Sequence, residues 1–430
     1  METIEFTHDR DRAGSKARRN FVYNFASMLR FLTAGESHGR ALVVIVEGLP
    51  AGLSIDLDAI TRELRRRQGG YGRGRRMAIE SDRADILSGV RAGQTLGGPI
   101  AMLIENRDWP NWQYTMRQTL EAPPDAGGAR RAPVTRPRPG HADLAGGAKY
   151  ERDDLRDVLE RASARETAAR VAAGALARQL LEAAGIRIAS HVFRIGSVGL
   201  ADPLAVTFTQ AAALDPEGPI RCADASLEST MIAEIDRARE AGDTLGGAFE
   251  VIAAGVPVGL GSYVQWDRKL DGRIAQAMMS IPAIKAVGIG AGPLVAERPG
   301  SAVHDEMVPT DDDSRATGIA RPTNNAGGLE GGVTNGEDVR VSAFMKPIST
   351  LMKPLRSVDI TTMEAAAAAI ERSDVCAVPA AGVVGEAMVA LVLADALLER
   401  FGGDSVPALT RAMQATDEQL RRRFSPSPSR

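Results

Sequence analysis

The feature that most constrains the fold is a long alanine-rich stretch in the middle of the chain. From Asp154 to Ala184 apolar residues recur at helical spacing among alanines, the residues of highest helix propensity: Leu155, Val158, Leu159, Val171, Leu176 and Leu180. This is the strongest helix signal in the sequence. Since 44% of the 430 residues are apolar, the chain has enough apolar side chains for a substantial core.

Shorter patterns on both sides of this stretch predict a mixture of strands and helices. Asp56 suits a helix N-cap, and Gly69-Gly70 suits a helix end, so a helix is expected between them. Strands are predicted at Leu29–Thr33, Ala41–Val46 and Val339–Phe344, and closing helices at Met363–Glu371 and Gly385–Arg400. Periodicity alone therefore indicates a mixed α and β fold.

No internal repeat or composition break forces a boundary inside the chain. We expect residues 1–27 to be a disordered polar extension, residues 28–402 a single domain, and residues 403–430 a C-terminal helix with a disordered tail. Met28 stands immediately before the first predicted strand, so translation could start at Met1 or at Met28.

Composition argues against several classes of protein. A net charge of -3 and 4% aromatic residues disfavour a nucleic-acid platform. Cys222 and Cys376 lie far apart, which gives no metal or disulfide spacing and suits a reducing cytoplasm, and the scattered histidines give no zinc motif. The most apolar run, Val383 to Leu398, is interrupted by Glu386 and Asp395 and predicts a buried helix rather than a membrane span.

The letters Gly35-Glu36-Ser37-His38-Gly39 match the G-x-S-x-G pattern of a hydrolase nucleophile elbow. An elbow needs a helix after the serine, and the β-branched run that follows predicts a strand. Three interpretations stay open from these residues alone: a nucleophilic Ser37, a plain glycine turn, or a loop that presents His38 to a ligand.

Arginines are concentrated after the first predicted helix start. The cluster comprises Arg62, Arg65, Arg66, Arg67, Arg73, Arg75 and Arg76, and glycines lie among its later members. Such a charge run is often a solvated helix face. Guanidinium groups beside glycines also suit bidentate binding of phosphate or carboxylate groups, which points to a small polyanionic ligand.

Two further segments could accommodate a phosphate-bearing cofactor. Arg161 and Arg165 are one helical turn apart, as are Ser163 and Thr167, and small alanines between them leave room for a ligand. The glycine-rich run of residues 324–336 leads into Lys346-Pro347-Ile348-Ser349-Thr350, whose amine and hydroxyls could bind phosphate. A solvated helix face and ordinary turn chemistry are the alternatives, and neither segment has a Walker or Rossmann pattern.

Candidate proton carriers stand in loops. His38 and His141 are each bounded by glycines, and Asp374 follows a predicted helix. A lone histidine or aspartate is often structural, but glycine-bounded loops are a usual location for groups that contact ligands.

Taken together, these segments resemble the chorismate synthase family. The similarity rests on "GESHGRALVVIVEGLPAG", "RPGHAD", "RASARETAARVAAGA", "NNAGGLEGGVTNG", "KPIST" and "RSDVC", which occur in the family's order between Met28 and Gly402. The resemblance implies an α+β fold, a β-α-β sandwich with helices packed between antiparallel sheets. It also implies a cytoplasmic homotetramer.

The resemblance further implies a lyase of the shikimate pathway. In that family 5-enolpyruvylshikimate 3-phosphate loses phosphate and a ring hydrogen by 1,4-anti elimination to give chorismate, and reduced FMN is required without net redox change. No residue pattern shows whether such a chain reduces its own flavin from NADPH or depends on an external flavin reductase. No metal, nucleic acid or membrane is implied.

The resemblance also transfers roles to individual residues. His38 matches the histidine that protonates the departing phosphate, His141 the one that manages charge on the reduced flavin, and Asp374 the aspartate that helps to remove the ring proton. Arg67 and Arg73 match positions that contact the anionic substrate or NADP. The FMN contacts match Arg161, Ala162, Ser163, Gln276, Ala277, Gly331, Lys346, Pro347, Ile348, Ser349, Thr350 and Arg372.

Overall fold

The structure is a computed structural model that describes residues 28–74, 81–120, 132–371 and 374–424. The predicted N-terminal extension, residues 1–27, lies outside the described residues, as do Arg75, Arg76, Arg372 and the last six residues.

Strands and helices alternate irregularly along the described part of the chain. The strands are β1 Arg30–Ala34, β2 Ala41–Glu47, β3 Asp85–Ile86, β4 Val90–Arg91, β5 Gln94–Thr95, β6 Ile100–Glu105, β7 Arg187–Ile195, β8 Val198–Gly199, β9 Gly247–Ala254, β10 Ile284–Ile289, β11 Val308–Pro309, β12 Ile319–Ala320, β13 Leu329–Glu330, β14 Val333–Thr334, β15 Val339–Met345, β16 Arg356–Val358 and β17 Ala365–Ala367. The helices are α1 Leu57–Gln68, α2 Asp143–Tyr150, α3 Arg156–Ala162, α4 Thr167–Ala183, α5 Phe208–Ala212, α6 Ala225–Glu240, α7 Leu270–Met279, α8 Val378–Phe401 and α9 Val406–Phe424.

Two antiparallel sheets form the outer layers. The first has the strand order β1-β2-β6-β3, and the second has the order β10-β15-β9-β7-β8. In β2 the side chains of Leu42, Val44 and Val46 are buried, while the residues between them face the other side of the sheet. The alternation shows that the first sheet covers the core with one face only.

Helices fill the space between the two sheets. α4 contacts β2 of the first sheet, α8 contacts β7 and β9 of the second, and the two helices pack against each other. They approach closely where Gly174 faces Ala387, because a Cβ at Gly174 would overlap the backbone and side chain of Ala387. The predicted α+β sandwich, with helices between antiparallel sheets, is confirmed.

The most apolar helix lies inside this middle layer. α8 is long and apolar enough to cross a membrane, but 94% of its most apolar window is buried inside the protein. It begins at Val378, seven residues before the predicted start, and its proline at position 379 suits the first turn of a helix. Its apolarity is therefore explained by its place in the core.

Two predicted helices differ from the structure. The alanine-rich stretch is broken at Ser163, whose extended backbone (ψ 143°) ends α3 before a short 3-10 turn leads into α4. The helix predicted at Met363–Glu371 is wrong: Ala365–Ala367 is a strand paired with Arg356–Val358, and Met363 has a left-handed backbone (φ 60°). Pairing with a neighbouring strand outweighs the helix propensity of these alanines.

Candidate active site

His38 is fixed by a buried carboxylate from a distant helix. It lies in the loop between β1 and β2, and its Nδ1 is 2.9 Å from both carboxylate oxygens of Glu160 in α3. The backbone N–H groups of Ser37 and His38 donate to the carbonyl and the carboxylate of Glu160 at 2.9 Å. Because a carboxylate only accepts, Nδ1 carries the proton. Nε2 of His38 makes no hydrogen bond to the described residues, so it is the ring atom available for proton exchange.

An aromatic ring fixes the plane of the same imidazole. Trp112 stacks on His38 with ring centroids 3.7 Å apart and planes 17° apart. The guanidinium of Arg156 lies 5.3 Å from the centroid of the Trp112 ring, and its Nη1 donates to Glu160 at 3.3 Å. Burial by itself would raise the pKa of Glu160, but the bonds from His38 and the charge of Arg156 lower it. Glu160 is therefore held in its ionised form and presents its negative charge to the Nδ1 side of the His38 ring.

His141 has a similar carboxylate partner. Its Nδ1 is 2.6 Å from Asp143, which is completely buried at the start of α2. Arg138 donates to Asp143 from Nε at 2.8 Å and also to the hydroxyl of Thr350 at 3.0 Å. Burial opposes ionisation of Asp143, yet the hydrogen bonds from His141 and Arg138 lower its pKa further than burial raises it. The pair places a carboxylate-oriented imidazole beside the segment of residues 346–350.

Asp374 is oriented by the glycine and arginine loop. Its Oδ1 accepts from the backbone N–H of Gly74 at 2.7 Å, and its Oδ2 lies 2.9 Å from Nη1 of Arg73. The Asp374 side chain is 21% exposed and that of Arg73 is 11% exposed. The predicted anion-binding arginine and the predicted proton acceptor therefore meet directly.

Arg67 is a buried cation in the wall of the same site. It donates to the hydroxyl of Thr167 at 2.9 Å and to the carbonyl of Ala164 at 2.8 Å, and it lies 3.7 Å from Asp82. Asp82 is bonded more closely by Arg165, at 2.6 and 2.7 Å. Burial, together with the positive charges nearby, lowers the pKa of Arg67 to about 9. An anion beside Arg67 would relieve this excess of positive charge.

The predicted cofactor residues at the α3–α4 junction lie next to the His38 loop. Arg161 donates to the carbonyls of Thr33 and Gly35 at 3.0 and 3.1 Å, and the Ser163 hydroxyl donates to that of Ser37 at 3.1 Å. The expectation that Arg161 and Arg165 share one helical stripe is wrong. The break at Ser163 turns Arg161 toward β1, with 43% of its side chain exposed, and turns Arg165 into the core.

The segment of residues 346–350 contacts the His141 loop. Nζ of Lys346 donates to the carbonyl of Gly140 at 3.0 Å, and burial together with the charge of Lys285 lowers the pKa of Lys346. A Cβ at Gly140 would lie 3.5 Å from that Nζ and 3.7 Å from Cβ of Ser349, at a left-handed φ of 80°. The carbonyl of Ile348 accepts from Thr244 at 2.7 Å, which fixes the segment against the residues just before β9. Pro347 stands between Lys346 and Ile348 in the same turn.

The remaining predicted cofactor residues are distributed along α7 and beyond. Gln276 and Ala277 lie in the last turns of α7, which connects to the site because Arg170 donates to Ser280 at 2.8 Å and to Glu166 at 2.9 Å. Gly331 is in the β13–β14 turn, next to Tyr263, at the opposite end of α7. The described contacts of this chain do not join Gly331 to the His38 loop, and Arg372 lies outside the described residues.

The arginines of α1 point to different sides of the helix. Arg67 faces the site, whereas Arg66 faces the opposite side, where it binds Glu386 at 2.7 Å. Arg62 and Arg65 are exposed and pair with Asp56 and Glu217. Ser37 is 3% exposed and is followed by β2 rather than by a helix, so the structure does not support a nucleophile elbow.

Several residues of the site were assigned no role from the sequence, although Arg138 and Asp143 stand in the quoted segment "RPGHAD". Glu160, Trp112, Asp143 and Arg138 orient the two histidines, and Asp82 lies between the buried arginines. Asp143 could have been suspected, since it follows His141 by two residues in a glycine-bounded loop. Glu160 and Trp112 are 122 and 74 residues from His38 and have no such local signal.

Known proteins are similar to this chain over most of its length. The family model described as chorismate synthase matches residues 29–398. A chorismate synthase of Moorella thermoacetica is 59% identical over 394 residues, which cover 91% of this chain and 99% of the relative. A chorismate synthase of Mycolicibacterium smegmatis is 56% identical over 386 residues, covering 90% and 95%.

A solved structure is similar as well. The structure described as "Crystal Structure of Chorismate Synthase" is 42% identical, with a TM-score of 0.72, and the match covers 92% of this chain and 98% of that one. The chain therefore belongs to the chorismate synthase family.

Proposed function

We propose that this chain converts 5-enolpyruvylshikimate 3-phosphate into chorismate and phosphate by 1,4-anti elimination, with reduced FMN as cofactor. A C–O bond and a ring C–H bond break, a new C=C bond forms, and no net oxidation occurs. The observation that carries the proposal is the placement of His38. Its Nδ1 is bound by buried Glu160, and the neighbouring Ser37 accepts from Ser163, the residue before Ala164, whose carbonyl accepts from Arg67.

The residues present fit an FMN group. Lys346, Thr350 and Ser163 supply an amine and hydroxyls, and Arg161 supplies a half-exposed guanidinium, a donor set that suits a phosphate and a polyhydroxy chain. Gly140 leaves open the space beside Lys346 that a side chain would fill. We propose that these residues bind the cofactor with Ala162, Gln276, Ala277, Gly331, Pro347, Ile348, Ser349 and Arg372. When bound, reduced FMN supplies transient electron density that helps phosphate to leave.

The protein's own groups then control charge and protons. Arg67 and Arg73 bind the anionic groups of the substrate, and the lowered pKa of Arg67 returns toward its ordinary value as an anion approaches. His38 donates its Nε2 proton to the departing phosphate, while Glu160 stabilises the charged ring beforehand. Asp374, which Arg73 and the backbone N–H of Gly74 orient, assists removal of the ring proton. His141, whose Nδ1 is bound to Asp143, balances negative charge near the Lys346 segment.

The test is anaerobic incubation of the purified chain with the enolpyruvyl substrate and photoreduced FMN. We expect release of phosphate and the absorbance of chorismate in equal amounts. If neither appears while FMN binds, the activity is refuted. Salt-sensitive binding of RNA without reaction would instead favour a polyanion-binding protein.

The source of reduced flavin is tested in the same assay. Turnover with NADPH as the sole reductant, under anaerobic conditions, would show that the chain reduces its own FMN. Turnover that appears only after a separate flavin reductase is added would show dependence on an external partner.

We also propose that the protein is a cytoplasmic homotetramer. The outward face of the first sheet supports association, since Leu32 and Ile45 are paired across β1 and β2 and are 74% and 41% exposed. Cys222 and Cys376 are unpaired thiols, as expected in a reducing compartment. Sedimentation velocity of the purified chain tests the tetramer.

A further inference from the structure

A cavity lies on the far side of α1 from the candidate active site. It has a volume of about 370 Å³ and is bounded by α1, the second half of α4, β7 and α5. One wall carries guanidinium groups, among them Arg66, Arg178 and Arg221, and another is apolar, with Ile188, Phe208 and Leu214. None of these residues has a part in the proposed reaction.

The distance along α4 separates this cavity from the catalytic groups. Arg178 lines the cavity, and Thr167, the partner of Arg67, lies eleven residues earlier in the same helix. At 1.5 Å per residue this is roughly 16 Å. Arg66 and Arg67, although adjacent in sequence, point to different sides of α1. The cavity is therefore a separate place in the molecule.

Two of the lining arginines are already neutralised. Glu386 is buried and accepts from both Arg66 and Arg178 at 2.7 Å, and Glu63 lies 2.7 Å from Arg66 and 3.6 Å from Arg178. Burial opposes ionisation of Glu386, but the two arginines lower its pKa well below its ordinary range. The positive charges of the two arginines are balanced by the negative charges of the two glutamates, so these four residues need no ligand.

Arg221 is different, because it is buried without a carboxylate. It is 4% exposed and donates to the carbonyl of Pro379, and no carboxylate of the described residues lies within 4 Å of it. Burial and the charge of Arg66 lower the pKa of Arg221 to about 10. Its backbone has a left-handed φ of 63°, a strained conformation for a side-chain-bearing residue. A buried cation on a strained backbone, facing a cavity, is the arrangement expected of a binding group.

A second arginine at the cavity also lacks a carboxylate partner. Arg187, at the start of β7, lies over the ring of Phe208 at 4.9 Å, and no acidic group in the described segments is within 4 Å of it. The guanidinium therefore covers one face of the Phe208 ring, which brings a positive charge and an apolar side chain together at the cavity. This combination suits a ligand that has both an apolar body and a negative charge.

We propose that this cavity binds a small organic carboxylate. Its carboxylate group would accept hydrogen bonds from Arg221 with Arg187 nearby, and its apolar body would contact Phe208 and Leu214. Inorganic anions lack the apolar part and neutral molecules lack the charge, so neither class should bind as well.

The experiment is isothermal titration of the full chain with three probes at constant salt: benzoate, benzamide and inorganic phosphate. We expect saturable 1:1 binding of benzoate, binding of benzamide that is weaker by at least about tenfold, and no competition by equimolar phosphate. Arg73→Gln should leave benzoate binding unchanged, which separates this cavity from the anion-binding wall of the candidate active site.

Variants identify the groups that bind the probe. Arg221→Gln and Arg187→Gln should each weaken benzoate binding by about tenfold, whereas Arg237→Gln, an exposed arginine of α6 outside the cavity, should change it less than twofold. Arg187 is exposed, and so is Ala212, which also lines the cavity. Arg187→Gln and the cavity-filling Ala212→Trp therefore decide the question if Arg221→Gln does not fold.

Four results would overturn the proposal. They are absence of saturable benzoate binding, equal binding of benzamide, displacement of benzoate by equimolar phosphate, and wild-type affinity in Arg187→Gln together with either Arg221→Gln or Ala212→Trp.

Discussion

Replacing Glu160 by glutamine tests the role of the carboxylate beneath His38. The substitution keeps the size of the side chain and an oxygen that can accept from Nδ1, but it removes the charge. Hydrogen bonds to a charged group contribute about 1.5–3 kcal/mol and neutral ones about 0.5–1.5 kcal/mol. The protonated imidazole is therefore expected to lose about 1–1.5 kcal/mol of stabilisation, which corresponds to a decrease of kcat by about tenfold.

The assay is anaerobic turnover with saturating reduced FMN, with kcat and KM determined separately. Glu160 contacts His38 and Arg156 rather than the predicted FMN residues, so the affinity for FMN should stay within about twofold of wild type. Arg156 loses part of its charge partner as well, and we expect the free energy of unfolding to fall by about 1–3 kcal/mol.

A matched control is Glu182→Gln. Glu182 also accepts from an arginine one turn away in a helix, at 3.1 Å from Arg178, but it is 49% exposed and far from His38. Its replacement should leave kcat unchanged. Wild-type kcat in folded Glu160→Gln would refute the reasoning, and so would a loss confined to FMN affinity.

Other consequences of the structure can be measured directly. His38→Ala and Asp374→Ala should each reduce turnover at least about a hundredfold while FMN titration gives near-normal affinity, and near-normal turnover in either variant would refute its role. Because the pKa of Asp143 is lowered in the folded protein, its ionisation stabilises the fold fully above the pKa of an unfolded aspartate, about 4, and this stabilisation is lost as the pH falls below that value. Between pH 7 and pH 3 the unfolding temperature should therefore decrease less in Asp143→Asn than in wild type. Gly174→Ala should lower the urea midpoint by an amount equivalent to about 1–3 kcal/mol, because the new Cβ would overlap α8. Gly272→Ala, with open space in α7, should raise stability by about 0.5–1 kcal/mol, and equal effects of the two changes would contradict the packing argument.

The sequence predicts the residues with proposed chemical roles better than it predicts the residues that orient them. His38, Asp374 and Arg73 stand in distinctive short segments, and the structure brings Arg73 and Asp374 into contact. Glu160 and Trp112 act on His38 from distant parts of the chain. Such partners depend on how α3 and the loop after β6 pack, which local patterns do not encode.

Secondary structure was likewise predictable where its signal is local and not where it depends on distant residues. The helix from Asp56 onward was predictable because its cap is local: Asp56 accepts from the N–H groups of Asp58 and Ala59. The strand Ala365–Ala367 was not, since alanines favour helix and only pairing with Arg356–Val358 makes them extended. The break at Ser163 was likewise hidden, because the residues around it all have high helix propensity.

The length of α1 is constrained because Arg66 and Arg67 have partners on different sides of this helix. Successive residues of an α-helix are about 100° apart around its axis, so Arg66 and Arg67 can serve opposite sides only in one rotational setting. Inserting or deleting one residue between Leu57 and Arg66 would rotate every later side chain by that angle relative to the Asp56 cap. Arg67 would then leave Thr167, and the pairing of Arg66 with Glu386 would break in the same event. Length variation among descendants of this gene should consequently be confined to segments outside α1.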